Sequence, residues 1–176
     1  TPNGRLLVYD PETQKTTTLL KDLYFANGVA LSSDESFVLV NETLMYRIQK
    51  YWLKGDKAGT SEIFIENLPG FPDNVSSNEE GIFWVALFNP RNNFVEMSSN
   101  KPFLRKIVFR LPELLQPQPI NHSFVLGLNE NGKVVHNLQY QANEAYSPIT
   151  SVKQYNDILY FGSLTHAGWG KIEVPK

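Results

Sequence analysis

The fold is decided by residues 71–87, which read FPDNVSSNEEGIFWVAL. A Pro-marked turn opens the strand-like segment 71–77, a second turn lies at 78–81, and a strongly apolar segment occupies 82–87. Short segments rich in β-branched and aromatic residues, joined by Asn, Asp and Gly, predict an antiparallel hairpin. The chain therefore contains at least one hairpin whose second strand is apolar on both faces.

The same pattern occurs twice more. Upstream, YFANGVALS at 24–32 is followed by the apolar segment Phe37–Asn41. Downstream, SPITSV at 147–152 is followed by Ile158–Gly162. Repeated units of this length, each too small to bury its own hydrophobic residues, are typical of repeat architectures.

The spacing of the repeats identifies the unit. Asn27 and Asn74, in equivalent positions, are 47 residues apart, the length of one four-stranded propeller blade. The next interval is longer by about thirty residues. We assign the excess to an insertion near 100–119, whose apolar residues recur every three or four positions and predict a helix that breaks at Pro112.

These repeats predict an all-β fold, a β-propeller of about three four-stranded blades. The expected organisation is a single partial propeller domain over residues 1–176. It comprises outer strands of a preceding blade at 1–22, a blade at 23–67, a blade with the helical insertion at 68–141, and a last blade at 142–176. A ring needs four to eight blades. We therefore expect either a fragment of a longer chain or a half that pairs with a second copy.

Composition excludes several classes of function. The chain has 176 residues, 41% of them hydrophobic, and a net charge of −2, and no basic run marks a nucleic-acid surface. Its apolar stretches are too short to cross a membrane. It has no cysteine, which excludes disulfides, thiolate metal sites and a Cys nucleophile and leaves the compartment open.

Six motifs, in order along nearly the whole chain, resemble those of the strictosidine synthase-like family. They are GRLLVYDP (4–11), LYFANGVALS (23–32), KYWLKG (50–55), LPGFPDN (68–74), GIFWVA (81–86) and LYFGSL (159–164). The resemblance implies the C-terminal half of a six-bladed propeller. The family is related to paraoxonases and gluconolactonases, several of which bind calcium at the top of the central tunnel and hydrolyse lactones or esters.

The resemblance also implies a metal site. Asn27 is similar to a tunnel-facing amide ligand, and Asp73 with Asn74 is similar to the family's Asp-Asn pair. Calcium takes carboxylate and amide oxygens, so these three residues are the expected Ca²⁺ ligands on this chain. The remaining ligands, a Glu and an Asn, would belong to the other half. The alternative is that both dipeptides are ordinary turn signals.

The name-giving reaction is not expected. The catalytic Glu of true strictosidine synthases precedes the last family motif by nine residues, and the resemblance places Thr150 there. Threonine cannot act as a carboxylate base. The three histidines, His122, His136 and His166, are expected to be structural or solvent-facing, and the sequence identifies no catalytic residue.

Two functions stay open. The first is a calcium-dependent hydrolase of small-molecule esters or lactones, in which the metal polarises the carbonyl. The second is a non-enzymatic binding or structural propeller with a structural tunnel ion. In either case the open blade edges favour a homodimer that completes a six-bladed ring.

Overall fold

The computed structural model describes residues 2–91, Arg110 and residues 120–175, and it consists of antiparallel sheets in which consecutive strands are neighbours. The first sheet has β1 (Gly4–Asp10) and β2 (Lys15–Leu23). The second has β3 (Ala26–Leu31), β4 (Phe37–Glu42), β5 (Arg47–Trp52) and β6 (Ser61–Ile65). The third has β7 (Gly70–Ser77), β8 (Ile82–Pro90), β9 (His122–Asn129) and β10 (Val134–Gln141). The fourth has β11 (Ser151–Tyr155), β12 (Ile158–Gly162) and β13 (Gly170–Glu173).

Helical structure in the described residues is limited to one 3₁₀ turn, Thr43–Met45, directly after β4. The helix predicted near 100–119 lies outside the described residues, apart from Arg110, which is in a turn. No helix in the described part of the chain is long and apolar enough to cross a membrane.

Strand β4 is buried along its whole length because its two faces pack against different sheets. Phe37 and Leu39 join a core cluster shared with β7, β8 and β9, whereas Val38 and Val40 join a cluster shared with β1 and β2. A strand enclosed on both sides reads as a continuous apolar run, as the sequence does here.

Strand β8 repeats this arrangement one sheet further on. Phe83 and Val85 face the second sheet, and Trp84 faces β11 and β12 of the fourth sheet. The sheets are therefore stacked face to face, and β7 contacts both β3 and β11. The predicted all-β propeller architecture is confirmed.

The meander order determines which loops meet. The hairpins β3–β4, β7–β8 and β11–β12 lie at one end of the stacked sheets. The starts of β3, β7 and β11 lie at the opposite end, together with the connections at 43–46 and 163–169. We call this second end the site end, because the predicted ligands lie there.

Candidate metal centre

Both predicted ligand segments lie in β-bulges. In β3, Ala26 pairs with Glu42 and Val29 with Val40, so Asn27 lies in a break of the register. In β7 the register breaks between Pro72 and Val75, at Asp73 and Asn74. A bulge turns side chains away from the regular alternation of a strand and is common beside functional sites. The Asn27 and Asp73–Asn74 segments, which could be interpreted from sequence as turns, are therefore irregular parts of β3 and β7, the first strands of their sheets.

The structure brings the three predicted residues together. Nδ2 of Asn27 donates to Oδ1 of Asp73 at 2.7 Å, and Nδ2 of Asn74 lies 3.5 Å from the same oxygen. Among the described residues, the side-chain oxygens of Asn27 and Asn74 and Oδ2 of Asp73 make no hydrogen bond. One carboxylate and two amides therefore converge and keep acceptor oxygens available.

Gly28 permits this convergence. A Cβ at this position would lie 2.5 Å from Cα of Asn74 and 2.5 Å from the backbone nitrogen of Val75. No side chain fits at such distances, so only glycine lets β3 approach β7 this closely. The Asn27-Gly28 pair could be interpreted from sequence as a turn signal, but in the structure it allows β3 and β7 to make close contact.

Two further residues hold the Asp73 backbone, and sequence reasoning missed both. Nδ2 of Asn41 donates to the carbonyl oxygen of Asp73 at 2.7 Å. Oγ1 of Thr43 donates to the carbonyl oxygen of Pro72 at 2.7 Å and accepts from Nδ2 of Asn27 at 3.3 Å. Asn41 and Thr43 lie where the apolar run Phe37–Val40 gives way to polar residues, and this change was the available signal.

Burial raises the pKa of the Asp73 carboxyl, and the hydrogen bond from Asn27 lowers it by a smaller amount. No Lys, Arg or His of the described residues forms an ion pair with Asp73. The carboxylate is thus half-buried, with hydrogen-bonding amides and no positive charge beside it. A cation at this position would supply the missing counter-charge.

The donor set suits a hard cation that takes oxygen ligands. Oδ1 of Asn41 adds an observation of its own, because it is buried and has no hydrogen-bond partner among the described residues. In the same part of the chain no three His, Cys, Asp or Glu side chains lie close enough to hold a metal by themselves. The described residues therefore offer one carboxylate and several amide oxygens, which fit a part of a calcium site.

Thr150 lies directly beside these residues. Its carbonyl oxygen accepts from the backbone nitrogen of Asn74 at 3.2 Å and from Nδ2 of Asn74 at 2.9 Å. Its own side chain is buried and donates to the carbonyl oxygen of Gly162 at 3.3 Å. Position 150 therefore contributes a carbonyl group and a hydroxyl that is already hydrogen-bonded.

Known proteins resemble this chain over most of its length. Residues 1–56 match the family model described as strictosidine synthase. The chain is 41% identical over 169 residues to the protein Strictosidine synthase-like 10 of Arabidopsis thaliana, which covers 92% of this chain and 44% of that relative. It is 36% identical over 169 residues to the adipocyte plasma membrane-associated protein of Bos taurus, covering 93% of this chain and 41% of that relative. The chain spans a little under half the length of these curated relatives.

Solved propeller structures resemble the fold. A gluconolactonase from Xanthomonas campestris matches with a TM-score of 0.57 at 14% identity, over 89% of this chain and 40% of that one. A calcium-binding protein, regucalcin, from Agrobacterium tumefaciens matches with a TM-score of 0.56 at 15% identity, over 96% of this chain and 47% of that one. At this identity the likeness shows the fold alone.

Proposed function

The chain belongs to the strictosidine synthase-like family, and on that premise we propose that it supplies part of the calcium site of a propeller that hydrolyses small esters or lactones. The observation that carries the proposal is the convergence of Asn27, Asp73 and Asn74 at one oxygen atom, Oδ1 of Asp73. Two proteins of similar fold, a gluconolactonase and a calcium-binding protein, have functions that agree with this proposal.

The residues present would hold the ion through the Asp73 carboxylate and the amide oxygens of Asn27 and Asn74. Further ligands are expected from parts of the propeller beyond this chain. A calcium ion bound there would polarise the substrate carbonyl and stabilise the negative charge that develops on its oxygen.

The chain's own residues keep this geometry rigid. Asn41 and Thr43 fix the backbone of the Pro72–Asp73 segment, and Thr150 fixes Asn74. These hydrogen bonds hold the backbone that carries Asp73 and Asn74, and groups held in place need little rearrangement when charge develops, which is the basis of electrostatic preorganisation.

Strictosidine synthesis is not part of the proposal. A Pictet–Spengler condensation needs a carboxylate base, and Thr150 offers a hydroxyl that donates to Gly162. We therefore expect no such condensation.

The test measures hydrolysis of aryl esters and lactones by the protein in its natural full length, with calcium and with a chelator. We expect turnover that requires calcium and is lost in Asp73→Asn, whereas the control Asp56→Asn, an exposed turn residue, retains it. Stabilisation by calcium without turnover of any substrate would instead support the non-enzymatic propeller with a structural ion.

A further inference from the structure

Three large apolar side chains are exposed at the site end, near the predicted ligand Asn27. Phe25 is 60% exposed, Leu44 58% and Met45 40%. Phe25 directly precedes β3, and Leu44 and Met45 belong to the 3₁₀ turn that follows β4. We call these three side chains the apolar rim. Exposed apolar side chains that lie together are typical of binding sites, whereas single ones are common on any protein surface.

Hydrogen bonds connect the apolar rim to the candidate ligands. The backbone nitrogen of Thr43 donates to the carbonyl oxygen of Phe25 at 3.1 Å, and Oγ1 of Thr43 accepts from Nδ2 of Asn27 at 3.3 Å. The same Nδ2 of Asn27 donates to Oδ1 of Asp73. Thr43 thus contacts both Phe25 and Asn27, and Leu44 is its neighbour in the chain. The rim and the Asp73 carboxylate therefore belong to one continuous set of contacts.

The backbone of Phe25 is strained. Its φ of 56° lies in the left-handed region, which is unfavourable for residues with large side chains. Among the described residues, Tyr46, with a φ of 51°, is the other aromatic residue with a positive φ. The remaining non-glycine examples carry carboxyl or amide side chains. Such strain persists only where other interactions outweigh it, and it is concentrated at functional sites.

Packing accounts for the strain at Tyr46 but not for the strain at Phe25. The Tyr46 ring centroid lies 4.7 Å from that of Phe71 and 4.2 Å from Cζ of Arg91, and Tyr46 packs against the core. The Phe25 ring stacks on no aromatic ring of the described residues and belongs to none of their hydrophobic clusters. The strain at Phe25 therefore requires another interaction of the exposed ring.

We propose that the apolar rim selects substrates with an apolar substituent beside the ester or lactone group, an inference that rests on the function proposed above. The carbonyl group lies at the Asp73 site, and the substituent packs against Phe25, Leu44 and Met45. None of these three side chains has a hydrogen-bond donor for a hydroxyl-rich sugar lactone, so removal of apolar surface from water is the interaction that the rim offers. We therefore expect δ-decalactone, which carries a pentyl chain, to be a better substrate than δ-valerolactone, which has the same ring without the chain.

These two lactones test the proposal with the full-length protein in the presence of calcium. Phe25→Gly is the informative variant, because glycine adopts a positive φ at no steric cost, so the substitution removes the ring and relieves the strain. We expect kcat/KM for δ-decalactone to fall about tenfold or more, mainly through a higher KM, because the ring binds the substrate and the transition state alike. The kcat/KM for δ-valerolactone should stay within about twofold, and Tm should be at least as high as that of the unmodified protein.

Two further variants serve as controls. Phe25→Leu keeps an apolar side chain and should retain most of the preference for δ-decalactone. Tyr155→Ala removes an exposed aromatic ring at the opposite end of the sheets and should leave kcat/KM for both lactones within about twofold.

Three results would overturn the inference while the calcium-dependent hydrolase stands. They are an unmodified protein without preference for δ-decalactone, a Phe25→Gly variant that keeps the preference, and a Phe25→Gly variant that is markedly less stable, which would make the ring structural. If the unmodified protein hydrolyses neither lactone, nor any ester or lactone of the panel, both proposals are overturned.

Discussion

Asn27 and Asp73 are separated by 46 positions, yet Nδ2 of Asn27 donates to Oδ1 of Asp73 at 2.7 Å. The bond joins the bulged inner strands of two neighbouring sheets. It lies where the Asp73 carboxylate has no positively charged partner among the described residues. The negative charge of Asp73 is therefore not balanced by a positively charged side chain of the described residues, and the predictions on Asp73 follow from that.

Removing the Asp73 charge should stabilise the calcium-free chain. Burial raises the pKa of Asp73, so ionisation of this carboxyl opposes folding. The folded state is thus favoured below the ordinary value of 3.8, and this contribution is lost as the pH rises through the folded-state pKa. In the presence of a chelator at pH 7 we expect Asp73→Asn to raise Tm slightly, because solvent around this half-exposed carboxyl screens its charge and keeps the effect small.

Thermal unfolding followed by circular dichroism checks this, and the difference between the two proteins should disappear at pH 3. The control Asp56→Asn should leave Tm unchanged at both pH values, because Asp56 is exposed. A lower Tm for Asp73→Asn at pH 7 would mean that the carboxylate already has a stabilising partner.

Gly28→Ala should separate the two inner strands. The added Cβ would lie 2.5 Å from Cα of Asn74, and backbone atoms cannot move aside as a flexible side chain can. We expect a loss of about 1–3 kcal/mol in the free energy of unfolding, measured in urea, together with weaker calcium binding. Gly168→Ala is the matched control, since no atom lies within 4 Å of its added Cβ. Equal stability of the two variants would contradict the close approach of β3 and β7.

Thr43→Val tests positioning of the ligand backbone. The substitution keeps the shape of the side chain and removes the hydroxyl that donates to Pro72 and accepts from Asn27. Groups that orient metal ligands typically change affinity by about 10–100-fold, so we expect at least a tenfold loss of calcium affinity by calorimetric titration. Thr60→Val removes an exposed hydroxyl bonded to Lys57 and should bind calcium as the unmodified protein does. An unchanged affinity in Thr43→Val would assign this hydroxyl a purely structural role.

Glu42 stabilises the site end through a buried ion pair. Burial alone raises the pKa of Glu42, but hydrogen bonds from Arg47, the Tyr24 backbone N–H and Gln49 together hold that pKa below its ordinary value of 4.5. Its contribution is therefore present above pH 4.5 and is lost as the pH falls through the lower folded-state pKa. We expect Glu42→Gln to cost about 1–3 kcal/mol at pH 7.

Urea denaturation of Glu42→Gln should show this cost shrinking towards pH 3. Glu62→Gln serves as the control, because Glu62 is exposed and pairs with exposed Lys57, and such pairs contribute about 0–1 kcal/mol. A cost for Glu42→Gln that stays constant with pH would show that the lost contacts are not those of a charged carboxylate.

The fold could be predicted from local sequence because β4 and β8 each pack into two different hydrophobic clusters, one on each face. The runs around Phe37–Val40 and Phe83–Leu87 are apolar on both faces, and adjacent residues in them pack into different clusters. Such apolar runs recur along the chain between turns rich in Asn, Asp and Gly, and this recurrence indicates the propeller architecture. The helix predicted near 100–119 stays a prediction, since it lies outside the described residues.

The site was predictable only in part. The family motifs point to Asn27, Asp73 and Asn74, but a dipeptide looks the same in a turn and in a bulge. The bulge depends on the pairing of β3 with β4, which local sequence does not encode. Likewise, the contacts of Thr43 with Pro72 and of Gly28 with Asn74 join different sheets, so no local pattern reveals them.

Calorimetric titration of calcium into the full-length protein and its Asp73→Asn variant tests the central claim most directly. The unmodified protein should bind one calcium ion, and Asp73→Asn should abolish this binding. Circular dichroism should show that both proteins are folded. Calcium binding of equal affinity and stoichiometry in the two proteins, or no binding by the unmodified protein, would contradict the assignment of Asn27, Asp73 and Asn74 as calcium ligands.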